Sequence, residues 1–162
     1  MGAVNSIAAP KFSELYWNSE NARLKNVIKS SSKIIFWSSL PICLIIIIFP
    51  SQILGIFGGE FIEGKNALII LSLGQFLNAY FGSVGVLLDM TGNQKVFRNA
   101  ILVGAGFNIL LNYCLIPSYG ITGAAIATSF STIVWNLIAS LVVLKKFSLW
   151  VGYIPDLVVR RA

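Results

Sequence analysis

Residues 99–144 are 46 consecutive positions without one charged side chain. A single helix of that length would run about 69 Å at 1.5 Å per residue, while the hydrocarbon core of a bilayer is about 30 Å thick. The run must therefore turn back on itself. Pro117-Ser118-Tyr119-Gly120 is the place suited to it. Proline removes an amide donor and restricts the residue before it, and glycine tolerates an open turn. The pattern predicts two apolar helices, 100–116 and 121–144, joined by a tight hairpin.

Two further runs, 34–57 and 67–88, are also free of charge. Only 11% of the 162 residues are charged and mean hydropathy is +0.80, where a soluble domain carries about 25% charge. A soluble chain this short could not bury so many all-apolar helices. The alternation in roughly ten-residue units that an outer-membrane barrel needs is missing. The expected fold class is all-α integral membrane, with four transmembrane helices in two hairpins at 34–57, 67–88, 100–116 and 121–144. Residues 1–33 precede this region. They read as the cut end of a preceding helix, then a short basic amphipathic segment in which Leu24, Val27 and Ile28 share a face. Residues 147–162 read as an interfacial tail with Trp150 and Tyr153.

Four spans alternate the connections between two sides. One side receives Lys11, Arg23, Lys25, Lys29, Lys33, Lys95, Arg98, Lys145, Lys146, Arg160 and Arg161; the other receives only Lys65. The positive-inside rule then places both termini in the cytoplasm and the Pro117–Gly120 turn outside. The net charge of +6 is accounted for by this anchoring, without nucleic acid as a partner. Histidine is absent, which excludes histidine-based triads and zinc motifs. Cys43 and Cys114 lie inside apolar runs as small hydrophobes. No metal set, nucleotide loop or acid/base constellation is present, so neither an enzyme nor a cofactor is expected.

The polar residues within the spans follow helical spacing. Gln75, Asn78, Gly82, Gly85 and Asp89 recur at intervals of three and four. Gly104, Asn108 and Asn112 stack at i, i+4 and i+8, as do Gly123, Ala127 and Ser131; Ala124, Thr128, Thr132, Asn136 and Ser140 line an adjacent stripe. An unpaired amide in lipid is costly, so these faces look into protein or a wet cavity. Two readings stand. Gln75, Asn78, Asn108, Asn112 and Asn136 could line a substrate path, since amides bond sugar hydroxyls without burying charge. Alternatively the stripes serve helix packing, with Gly82, Gly85, Gly104, Gly123, Ala127 and Ser131 allowing close approach. Asp89, the one acid abutting a span, is either an ion-coupling group or an interfacial residue paired with Lys95 or Arg98.

Four landmarks in order carry a family resemblance. They are Ala9-Pro10-Lys11-Phe12-Ser13-Glu14-Leu15-Tyr16; Phe49-Pro50 followed by Phe57-Gly58-Gly59; Asp89-Met90-Thr91-Gly92-Asn93-Gln94-Lys95; and Ile116-Pro117-Ser118-Tyr119-Gly120-Ile121-Thr122-Gly123-Ala124-Ala125-Ile126-Ala127-Thr128. Together they resemble the polysaccharide-transport branch (O-antigen flippase, Wzx-type) of the multidrug, oligosaccharidyl-lipid and polysaccharide exporter superfamily, over about residues 7–146. The resemblance implies the last third of a two-lobe fold of twelve or more helices. It also implies movement of lipid-linked glycan repeat units across the bacterial inner membrane. On this reading the chain is a portion, inactive alone, whose partners are membrane lipids, the remaining N-terminal helices and the lipid-linked oligosaccharide. Alternative readings are a drug/cation antiporter or peptidoglycan-precursor flippase portion of the same fold and, from another class, a small four-span accessory or structural subunit.

Overall fold

The computed structural model describes residues 2–149, 151 and 152. Every regular element among them is helical: α1 (Gly2–Trp17), α2 (Asn21–Ile48), α3 (Pro50–Gly55), a 3-10 turn (Gly59–Gly64), α4 (Lys65–Tyr80), α5 (Val84–Met90) and α6 (Gln94–Phe147). Most of the expected interfacial tail, including Trp150, Tyr153, Asp156, Arg160 and Arg161, lies outside the described residues.

The 54-residue α6 breaks at Gly120, whose φ of 52° and ψ of −131° are non-helical. Its arms, 94–119 (α6a) and 121–147 (α6b), lie side by side and antiparallel. Asn108 reaches Ser131, Phe107 stacks edge-on against Phe130 at 6.1 Å, and Phe97 meets Trp135 at 5.9 Å. The long charge-free run thus folds back where expected. The turn is tighter than residues 117–120, because Pro117 and Tyr119 remain helical and Gly120 alone takes the positive φ that L side chains avoid.

Three boundaries differ from the sequence expectation. First, α2 is one helix from Asn21 to Ile48 rather than a basic segment followed by a span at 34–57. Lys25, Lys29 and Lys33 form an exposed i, i+4, i+8 stripe, and solvated lysines do not interrupt a helix. The helix closes at Phe49, whose amide donates to the Ile45 carbonyl at 3.0 Å. Pro50 then takes the first position of α3, where its missing N–H costs nothing. Second, the run 67–88 is broken: α4 and α5 are separated at Phe81–Ser83 and meet at 44°. Gly82, with φ +62°, makes the break, and a Cβ there would sit 3.0 Å from the Ser32 Cβ. Third, the connection before α6 is shorter than 89–98, since only Thr91–Asn93 separates α5 from α6.

Two helices, α2 and α6, are long and apolar enough to cross a membrane, and the bent pair Gly59–Tyr80 with Val84–Met90 passes as a third. Neighbour directions follow from contacts. Helix α2 runs antiparallel to α4, with Phe36 on Phe76 at 5.1 Å and the Cys43 thiol donating to the Ser72 carbonyl. Helix α4 runs parallel to α6b: the Ser129 hydroxyl donates to the Ile70 carbonyl and Asn136 to Asn78. Helix α1 rises beside α5, with the Ser83 hydroxyl donating to Asn5 Oδ1 at 2.6 Å near its start and Trp17 beside Gly92 at its end. Three chain reversals therefore gather at one end. There Tyr16 stacks on Phe147 at 5.8 Å, and Lys146 hydrogen-bonds Asn93 Oδ1. At the other end the 3-10 turn and Ile121 share one cleft.

The apolar core sits at the first of these ends. Phe12 of α1, Leu24 and Ile28 of α2, Val84, Leu87 and Leu88 of α5, and Ala139 and Val143 of α6b are all but fully buried there, with Leu149 and Val151 closing it. Toward the other end large apolar side chains face outward, Ile42 at 60% and Ile109 at 70% exposure among them. A soluble protein would not leave so continuous an apolar surface. In a bilayer it is matched by lipid tails, and helix association there rests on close packing and hydrogen bonds instead.

Candidate functional site

The five amides expected from sequence fall into two hydrogen-bonded ladders that share α6b. The first crosses the α6 hairpin. Asn112 Nδ2 donates to Asn108 Oδ1 at 2.9 Å, Asn108 Nδ2 donates to Ser131 Oγ at 3.2 Å, and Ser131 Oγ donates to the Thr128 carbonyl at 2.9 Å. The second joins α6b to α4. Asn136 Nδ2 donates to Asn78 Oδ1 at 2.9 Å and to the Thr132 carbonyl, and Asn78 Nδ2 donates to Gln75 Oε1 at 3.3 Å. Helical spacing produces both: residues three or four apart share one face, so amides pass hydrogen bonds along their own helix as well as across to the next.

Burial separates the amides. Asn136 is fully enclosed, Asn78, Asn108 and Asn112 are half-buried, and Gln75 is exposed. One turn along α6b from Asn136, Ser140 is also fully enclosed. Asn136 Oδ1 and Ser140 Oγ have no hydrogen-bond partner among the described residues, leaving acceptor capacity inside the bundle.

Small residues set the spacing between these helices. A Cβ at Gly104 would lie 3.1 Å from both the Ser131 carbonyl oxygen and the Trp135 Cβ. At Gly123 it would lie 2.5 Å from the Leu115 carbonyl oxygen, and at Gly85 it would lie 2.6 Å from the Phe97 ring. Ala127 and Ser131 are buried on α6b. Gly74 plays the same part against Ser129, where an added Cβ would come within 2.6 Å of the serine Cβ. It was legible as the residue one turn before Asn78 on the same stripe, and the sequence reading passed over it. Gly82 acts differently, by breaking the helix.

Asp89 closes α5 at the cation-rich end, and its carbonyl accepts from Gln94 Nε2 at 2.9 Å. It shares a shallow cleft with Lys95 and Arg98, yet among the described residues no cation lies within ion-pair distance of it. The ion pairs found there are Lys11–Glu14 at 3.7 Å and Arg23–Glu20 at 2.8 Å. No group of histidine, cysteine or acidic side chains among the described residues could hold a metal. The site is thus an uncharged seam of amides and hydroxyls between α4, α6a and α6b.

Comparison with known proteins adds the following. An uncharacterized membrane protein of Methanocaldococcus jannaschii is 32% identical over 134 residues, 79% of this chain and 25% of the relative. A Haloferax volcanii protein named a probable low-salt glycan biosynthesis flippase is 32% identical over 130 residues, 80% of this chain and 28% of the relative. The chain therefore spans about a quarter of the length of these curated relatives. No solved structure matches it. The MatE family model matches residues 16–114, from the last turn of α1 into α6a and more than half of the chain, so this protein belongs to the MatE family of membrane proteins.

Proposed function

We propose that the chain supplies the last membrane helices of a flippase that carries lipid-linked glycan repeat units across the cytoplasmic membrane, the O-antigen type in a bacterial inner membrane. The observation that carries this reading is the uncharged amide and hydroxyl seam. Amides bond sugar hydroxyls as donor and acceptor together and require no buried ion. Among the described residues no acid sits within the seam: Asp89 is at the end of α5 beside Lys95 and Arg98, and Glu60 and Glu63 lie in the 3-10 turn, where they share a cleft with Thr128. An uncharged seam favours a glycan over a cationic drug. The name of the Haloferax volcanii relative agrees in kind. The chain acts as a carrier and makes or breaks no covalent bond.

In this reading there are four crossings: α2, the bent α4–α5 pair, α6a and α6b. The cation-rich end, where the reversals before α2, before α6a and after α6b meet, faces the cytoplasm by the positive-inside rule. Gln75, Asn78, Asn108 and Asn112 contribute to the substrate path, and Asn136 holds α6b against α4. Alternating access needs two bundles moving about a site between them, so the helices of the first lobe are the working partner. Co-expression of those helices with this chain in a flippase-null strain is expected to restore surface glycan. A correctly inserted, co-purifying complex that leaves the surface bare would refute the reading.

A further inference from the structure

At the cation-rich end a cleft of 630 Å³ opens between the first turns of α2 and the end of α6b. Lys25 and Lys146 line it from different helices, Asn21 and Ser148 add hydrogen-bonding groups, and Leu24 and Ile28 form its apolar floor. Among the described residues no acid neutralises these lysines. Glu20 is engaged by Arg23 and Glu14 by Lys11, and among the described residues no acid pairs with Lys25, Lys29 or Lys146. Lys146 is held in place by its hydrogen bond to the neutral Asn93 side chain.

Two cations from different helices above an apolar floor, at the level where the membrane spans end, match an amphiphile with an anionic head. We infer that this cleft binds the phosphate of an anionic glycerophospholipid, with the start of an acyl chain against the half-buried rings of Tyr16 and Phe147. The site is separate from the amide seam and does not depend on which substrate the seam carries. Basic pockets between helices on the cytoplasmic side of a membrane are suited to such headgroups, because phosphate takes charge-assisted hydrogen bonds and the surrounding lipid supplies the ligand at high local concentration.

The test uses the full chain purified in detergent and incubated with equal amounts of phosphatidylglycerol and phosphatidylcholine, with retained lipid read by native mass spectrometry. Preferential retention of phosphatidylglycerol is expected. It should fall about 5-fold in Lys25→Gln and further in the Lys25→Gln, Lys146→Gln double variant, and remain unchanged in Lys65→Gln at the opposite end. Lys25 is exposed, so the single variant remains informative if the double variant misfolds. Equal retention of the two lipids would overturn the inference. So would an equal loss in Lys29→Gln, which lies on the same stripe but not among the cleft residues, since that would indicate diffuse attraction. Displacement of phosphatidylglycerol by millimolar inorganic phosphate would assign the cleft to a free anion instead.

Discussion

Asn136 of α6b and Asn78 of α4 are joined by a 2.9 Å side-chain hydrogen bond, and Asn136 is fully buried at that junction. The contact fixes the rotation of α6b about its own axis. Ser131, five residues earlier, then meets Asn108 on α6a, while Ser129 meets α4. One helix thereby serves two partners with two polar faces.

A double-mutant cycle should detect that bond. Between Asn78→Ala and Asn136→Ala, a coupling of about 0.6 kcal/mol is expected, with about 1.7 kcal/mol as the upper range for side-chain bonds in membranes. Equilibrium unfolding in detergent or bicelles measures it. Strict additivity of the two substitutions would mean the bond does not form.

The Gly120 turn should be sensitive for backbone reasons alone. Nothing lies within 4 Å of a Cβ at Gly120 or at Gly106, but Gly120 has positive φ. Gly120→Ala is therefore expected to destabilise by about 1–3 kcal/mol. Gly106→Ala, in a helix interior, should be neutral or stabilising by up to about 1 kcal/mol. Equal thermal shifts for the two variants would contradict the strained turn.

Packing at Gly123 should be stricter than at Gly104. Gly123→Ala drives a methyl against the Leu115 carbonyl at 2.5 Å, while Gly104→Ala needs its neighbours to yield by a few tenths of an ångström from 3.1 Å. The first is expected to cost about 1–3 kcal/mol and the second less, as melting in detergent would report. A larger loss at Gly104 would refute this order.

Sidedness is open to chemical labelling. In a background without Cys43 and Cys114, a cysteine at Ser118 should react with an impermeant maleimide only from outside, and one at Gly92 only from the cytoplasmic side. Ser118 labelled from the cytoplasm would invert the proposed orientation.

Burial also divides the amides by effect. In the assembled transporter, Gln75→Ala and Asn112→Ala are expected to lower glycan translocation by about 5-fold each, the loss of one hydrogen bond of about 1 kcal/mol, at unchanged membrane level. Asn136→Ala should instead lower the amount of folded chain. Surface glycan measured alongside immunoblotting separates the two, and a normal translocation rate in both Gln75→Ala and Asn112→Ala would remove them from the path.

Much of this was determined by the sequence alone, because solvation in lipid leaves few choices. A charge-free run longer than a bilayer is thick must reverse, and Gly120 is where a left-handed backbone is cheapest. Helical spacing likewise put each amide on a stripe with its i+3 or i+4 neighbour, so Asn108–Asn112 and Gln75–Asn78 were legible as pairs. Only the tertiary structure decided which helix each stripe faces. Spacing fixes a face relative to its own helix, while the rotation of α6b depends on contacts such as Asn136 to Asn78 and Ser129 to Ile70 that link distant positions. The break at Gly82 was hidden for the same reason. A glycine in an apolar run reads equally as a packing residue or a hinge, and the close approach of Ser32 and the bend into α5 distinguish them. The placement of the core at the cation-rich end also belongs to the fold, since it required α1 to bring Phe12 against α2 and α5, a contact between elements that no local pattern encodes.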